Sequence, residues 1–124
     1  MRVLVDTHVL LWWLADDDTL SERVRAILSA PETVRYVSSV SILEMRVKQA
    51  IGKLELPADF MAVLAIQPFA HLAFTVDHAD AVSRLPLHHR DPFDRALLAQ
   101  AMTENLVLLS QDRDMARYDV ALIG

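Results

Sequence analysis

Arg2-Val3-Leu4-Val5-Asp6-Thr7 is the stretch whose reading decides the fold. Val3, Leu4 and Val5 are consecutive apolar residues, and two of them are β-branched. A run without polar alternation reads as a central strand of a parallel sheet, covered on both faces. It ends at a carboxylate, Asp6. In open α/β sheets ligands collect beyond the carboxyl ends of the strands, so Asp6 is delivered to the functional edge. Asp is also a common helix N-cap, and both readings of Asp6 stay open on this stretch alone.

Outward from this strand, apolar and amphipathic segments alternate. A short apolar helix over 8–14 contains Trp12 and Trp13, and Asp16-Asp17-Asp18 ends it. Thr19 and Glu22 have capping-box spacing ahead of a helix over roughly 20–30. A strand at 34–37 leads into a helix from Ser38-Ser39 to about Ile51, closed by Gly52. A short helix over 59–66, a weaker strand over 71–76 and a helix over 78–84 capped by Asp77 follow. Asp91-Pro92 opens a helix to about Glu104, with Asp as cap and Pro in the first turn. Strands at 106–109 and 120–123 complete the pattern. Alternating strands and helices predict a three-layer α/β/α fold with a central parallel sheet of four to five strands.

The 124 residues suit one domain over 1–124. No apolar run is long enough to cross a bilayer, and no secretory signal is expected. The absence of cysteine excludes disulfides and thiolate chemistry and fits a reducing cytoplasm. Net charge is −5, unusual for a nucleic-acid binder. If four carboxylates are committed to metal, however, the remainder is close to neutral and the local field reverses.

Two helices carry acids where apolar residues belong. In the helix after Ser39, Val40, Leu43, Val47, Ala50 and Ile51 form a stripe of helical period, and Glu44 falls within it. The competing assignment is a Ser41–Glu44 capping box. In the helix after Pro92, Asp94 shares the face of Leu97, Leu98, Ala101 and Met102. Its alternative is a favourable place in the dipole field of the first turn. Asp91 reads as the N-cap, with a place beside the metal as its alternative. Leu106 to Leu109 then repeats the opening motif, a buried strand followed by Ser110-Gln111-Asp112. Four acids thus arrive at one sheet edge, where mutual repulsion calls for a cation. Hard oxygen donors select Mg²⁺ or Mn²⁺, a set suited to phosphodiester hydrolysis. His88-His89 lacks metal-site spacing and reads as loop, exposed or touching substrate.

The stretch His89-Arg90-Asp91-Pro92-Phe93-Asp94-Arg95-Ala96-Leu97-Leu98-Ala99-Gln100-Ala101 resembles the corresponding helix of PIN-domain proteins. More narrowly, it resembles VapC-type toxins of type II toxin–antitoxin systems. Val3-Leu4-Val5-Asp6-Thr7, Glu44, Gly52-Lys53-Leu54-Glu55-Leu56-Pro57 and Ser110-Gln111-Asp112 fit the same pattern. The resemblance implies a Mg²⁺- or Mn²⁺-dependent endoribonuclease, cytoplasmic and homodimeric, acting on RNA and inhibited by a cognate VapB-type antitoxin. By position the catalytic, metal-binding acids are Asp6, Glu44, Asp94 and Asp112, supported by Thr7 and Ser110. Asp114 competes with Asp112 for the fourth place. Arg95 and Lys48 are expected to steer the RNA backbone. Trp12, Trp13 and the 60–66 helix are candidates for an antitoxin groove, though Trp12 also suits the core.

Rivals from other classes fit less well. A haloacid-dehalogenase-type phosphotransferase needs a second Asp two residues after the first, where this chain has His8. A response-regulator receiver needs an acidic pair at the first strand end and a Lys after the last strands. A PIN-like protein-binding module with weak turnover is the non-enzymatic alternative.

Overall fold

The computed structural model describes residues 1–124. Five strands, β1 (Arg2–Val5), β2 (Val34–Ser38), β3 (Ala70–Leu72), β4 (Val107–Leu109) and β5 (Leu122–Ile123), form one sheet in the order β3-β2-β1-β4-β5. Every pairing is parallel. The helices are α1 (Thr7–Leu14), α2 (Glu22–Ser29), α3 (Ser39–Ala50), α4 (Phe60–Ala65), α5 (Val76–Ala81) and α6 (Pro92–Glu104). Single 3₁₀ turns lie at Val82–Arg84 and Arg113–Arg117.

β1 is the middle strand, and Val3, Leu4 and Val5 are each 0% exposed. The strand period of two sends them to opposite faces. Leu4 packs with Leu108 and the α6 residues Leu97, Leu98 and Ala101. Val3 and Val5 pack with Val9 and Leu10 of α1, Val24 and Leu28 of α2, and Phe60 and Leu64 of α4. Full burial of a Val or Leu side chain contributes about 1.5–3 kcal/mol. A one-residue slip of β1 would therefore exchange both faces at once.

The chain leaves β1 toward β2 and β3 and then crosses to β4 on the other side of β1. That reversal is a topological switch point, where open α/β sheets form their crevice. Asp6 leaves β1 there and Ser110 leaves β4, and the Asp6 N–H continues the ladder to the Leu109 carbonyl at 3.0 Å.

Several local expectations are corrected. Ser21 caps α2 through the Val24 N–H, so no Thr19–Glu22 box forms. Thr75 caps α5 with His78 in a reciprocal box, displacing Asp77. The third strand closes at Leu72, because Thr75 already starts the helix. Ser38 caps α3, so Ser41 and Glu44 are interior and make no capping box. The α3 stripe also lies elsewhere. Val40, Ser41, Glu44 and Met45 are buried, whereas Leu43, Val47 and Ile51 are 57%, 40% and 61% exposed. These three, four residues apart, make an apolar row on the outer surface.

Candidate active site at the switch point

Asp6 is the N-cap of α1 and stands at the switch point. Its Oδ1 accepts the His8 N–H at 2.6 Å and the Val9 N–H at 3.4 Å, capping α1. Its Oδ2 accepts the Ser110 hydroxyl at 2.5 Å. Despite these donors, burial pushes the Asp6 carboxyl above its ordinary pKa. Thr7 donates its hydroxyl to Ser41 Oγ at 2.9 Å, tying α1 to α3 beneath the acids.

Glu44 is 1% exposed. Its Oε2 takes a very short ion pair from Lys48, one helical turn on, while its Oε1 is buried with no partner. A buried carboxylate oxygen without a donor is costly, so Oε1 is the atom that asks for a cation. The Lys48 ammonium pKa is raised, first by the hydrogen bond to Glu44, then by the charges of Glu44, Asp91 and Asp94.

Asp91 caps α6, accepting the N–H groups of Phe93 and Asp94 at 2.9 and 3.0 Å. Its cap turns Asp94 toward the cluster. Burial, then repulsion from Asp91 and Asp6, opposed by His89 and reinforced by Glu44, pushes Asp94 up to about 7. Asp6, Glu44 and Asp94, from three distant segments, thus share one local field. Asp112, on the loop after β4, is tied to Asp6 through Ser110 and groups with His89 and Asp114, not directly with these three acids. Its N–H donates to Ser110 Oγ at 3.1 Å and its Oδ1 accepts the Asp114 N–H at 2.9 Å. Its Oδ2 lies 3.5 Å from His89 Nε2. Asp114 is exposed at the rim.

Two side chains differ from expectation. The Arg95 guanidinium donates to the carbonyls of Pro86, Val82, Leu85 and His89, at 2.9, 3.2, 3.3 and 3.5 Å, and to the Tyr118 hydroxyl at 3.3 Å. It clamps the 82–89 segment through Nη1 and Nη2. His89 is not an exposed loop residue. Its imidazole is 17% exposed, with Nε2 at 2.9 Å from Asp94 Oδ2; His88 is exposed. The sequence signal for His89 is its place two residues before the α6 cap, which brings it back over the first helical turn. Lys48 faces the site, but its ammonium is already engaged by Glu44.

Asp6, Glu44, Asp94 and Asp112 offer only oxygen donors, a chemistry that fits hard divalent cations of the Mg²⁺/Mn²⁺ kind. Beside the acids, a cleft of about 300 Å³ is lined by Thr7, His8, Glu44, Lys48, Lys53 and Leu54. Leu11 and Leu54 continue it into an apolar groove of about 330 Å³ with Trp12, Leu56 and Phe60.

A parallel sheet that gathers carboxylates at its switch point, with helices on both faces, defines an acidic-site α/β/α domain. Within that class the chain belongs to the PIN domain family, whose profile matches residues 3–121. Among curated proteins no sequence matches the chain. Its fold is similar to that of VapBC2 from Rickettsia felis, bound to a promoter DNA fragment: TM-score 0.74, 13% identity, 99% of this chain and 98% of that one. DNA-bound VapBC from Salmonella typhimurium gives TM-score 0.70 at 16% identity, covering 99% and 97%. A toxin–antitoxin complex from Klebsiella pneumoniae gives 0.67 at 18%, covering 98% and 96%.

Proposed function

We propose that this PIN domain is a VapC-type toxin, an endoribonuclease that hydrolyses RNA phosphodiester bonds with Mg²⁺ or Mn²⁺. The observation that carries the reading is the unpartnered, buried Glu44 Oε1 in the same field as Asp6 and Asp94. Such a group of acids has a purpose only with a cation. Asp6, Glu44, Asp94 and Asp112 would hold the ion, which supplies Lewis acidity at the phosphate and a more acidic water. Ser110 fixes the Asp6 carboxylate, Thr7 braces α1 against α3, and Lys48 holds one oxygen of Glu44. Lys48 and Lys53 line the cleft where a phosphate backbone would pass.

The similar folds come from complexes of toxins with antitoxins. The apolar groove at Leu11, Trp12, Leu56 and Phe60 supports a VapB-type antitoxin laid beside the site. The exposed row Leu43–Val47–Ile51 supports a homodimer. No helix is long and apolar enough to cross a membrane. Purified protein and labelled RNA test the reading. Cleavage with Mg²⁺ that stops with EDTA and in Asp6→Asn supports it. No metal-dependent product from any RNA pool contradicts it and favours a binding module.

A further inference from the structure

We propose that His89 is a positioning residue of this site. It acts as an Nε2–H donor shared between Asp94 and Asp112, not as a metal ligand, and it holds the Asp112 carboxylate against the other acids. The inference rests on the metal reading above.

His89 Nε2, Asp112 and Asp114 offer donor atoms within 4.8 Å of one another, a spacing that could suggest a separate metal site. The hydrogen bonds decide otherwise. The backbone N–H of Asp91 donates to His89 Nδ1 at 3.2 Å, so Nδ1 presents its lone pair there. In neutral imidazole the proton then resides on Nε2, which has no lone pair left for a metal. Nε2 lies 2.9 Å from Asp94 Oδ2 and 3.5 Å from Asp112 Oδ2. Nε2 is buried and has no hydrogen-bond partner, so the two carboxylates are the groups within its reach, and their charge holds it between them.

The ring is held where it is. The His89 N–H donates to the Tyr118 hydroxyl at 2.8 Å, and the His89 carbonyl accepts from Arg95. Arg95 and Tyr118 also contact each other, so α6 and the loop after β4 fix His89 jointly. Asp112 needs such a tether. Its carboxylate is 38% exposed, and Oδ1 is occupied by the Asp114 N–H. Oδ2 turns toward His89, the side-chain link between Asp112 and Asp94. Groups that orient metal-binding side chains typically change metal affinity when removed.

The test has two parts. Nitrogen-15 NMR of the metal-free protein reads the tautomer, and Nε2–H is expected; an Nδ1–H tautomer overturns the proposal. Calorimetric titration with Mn²⁺ then compares variants. His89→Ala is expected to lose about 10–100-fold in affinity. His89→Gln, whose amide N–H can reach the same oxygens, retains most of it. Unchanged affinity in His89→Ala, or nitrogen hyperfine coupling to Mn²⁺ that vanishes in that variant, overturns the proposal. If His89→Ala fails to fold, the tautomer and the Gln variant decide. The tautomer is read without metal. A wild-type protein that binds no Mn²⁺ therefore contradicts the nuclease reading, whereas an Nδ1–H tautomer contradicts the role of His89 alone.

Discussion

Ser110 Oγ donates to Asp6 Oδ2 at 2.5 Å across 104 positions of sequence, joining the ends of the two central strands in one buried contact. The same hydroxyl accepts the Asp112 N–H, so one serine places both acids. Ser110→Ala leaves Asp6 short of a buried donor. We expect a loss of about 1–3 kcal/mol in urea denaturation and weaker Mn²⁺ binding in calorimetry. Ser110→Thr, which keeps the hydroxyl, should stay closer to wild type on both counts.

Asp94 sets the pH dependence. Its folded pKa, about 7, lies above the ordinary 3.8 because it is buried among Asp91, Asp6 and Glu44. A raised folded pKa means that the native state holds a proton the unfolded chain has released. The contribution is complete below pH 4 and is lost as pH rises through 7. Metal-free protein in EDTA should therefore show a falling melting temperature from pH 5 to 8. Metal requires the ionised acids, so Mn²⁺ affinity should rise over the same interval. Asp94→Asn should flatten both profiles.

Lys48 and Glu44 form a pair in which one member is almost wholly buried. Lys48→Met leaves the Glu44 carboxylate with neither oxygen compensated. The expected cost in metal-free protein is about 1–3 kcal/mol, recovered when Mn²⁺ is added. Thermal melts with and without the ion measure it. Equal destabilisation in both conditions would place Lys48 outside the site's charge balance.

Arg95 is a clamp by its contacts. Arg95→Lys cannot reproduce a planar fork that meets the Val82, Leu85, Pro86 and His89 carbonyls and the Tyr118 hydroxyl. Its expected signature is about 1.5–3 kcal/mol of lost stability, with the salt dependence of RNA binding unchanged. A shallower salt slope would instead mark Arg95 as a phosphate contact.

The fold was largely legible because its strongest signals are local. Val3-Leu4-Val5 lacks alternation, and Asp91-Pro92 starts a helix by cap chemistry alone. The surroundings of Glu44 were harder to read. Leu43, Val47 and Ile51 keep helical period yet face outward, and periodicity cannot distinguish a core stripe from an exposed one. Glu44 is buried with Val40, Ser41 and Met45, a face whose polar members hide it. The burial of His89 against Asp94 and Asp112 is not legible in the sequence, because its environment is tertiary, assembled from the α6 cap, Tyr118 and the loop after β4. The clamp role of Arg95 is not legible in the sequence, because its acceptors are carbonyls of the 82–89 segment that only the fold brings to it.

On the proposed reading, Asp6, Glu44, Asp94 and Asp112, drawn from four separate segments, serve one divalent cation. Mn²⁺ calorimetry on wild type, Asp6→Asn and Asp94→Asn, each verified as folded by circular dichroism, tests it most directly. The expected result is saturable binding to the wild type that either substitution abolishes or weakens by at least about tenfold, or 1.4 kcal/mol. Wild-type affinity retained in both variants would contradict it.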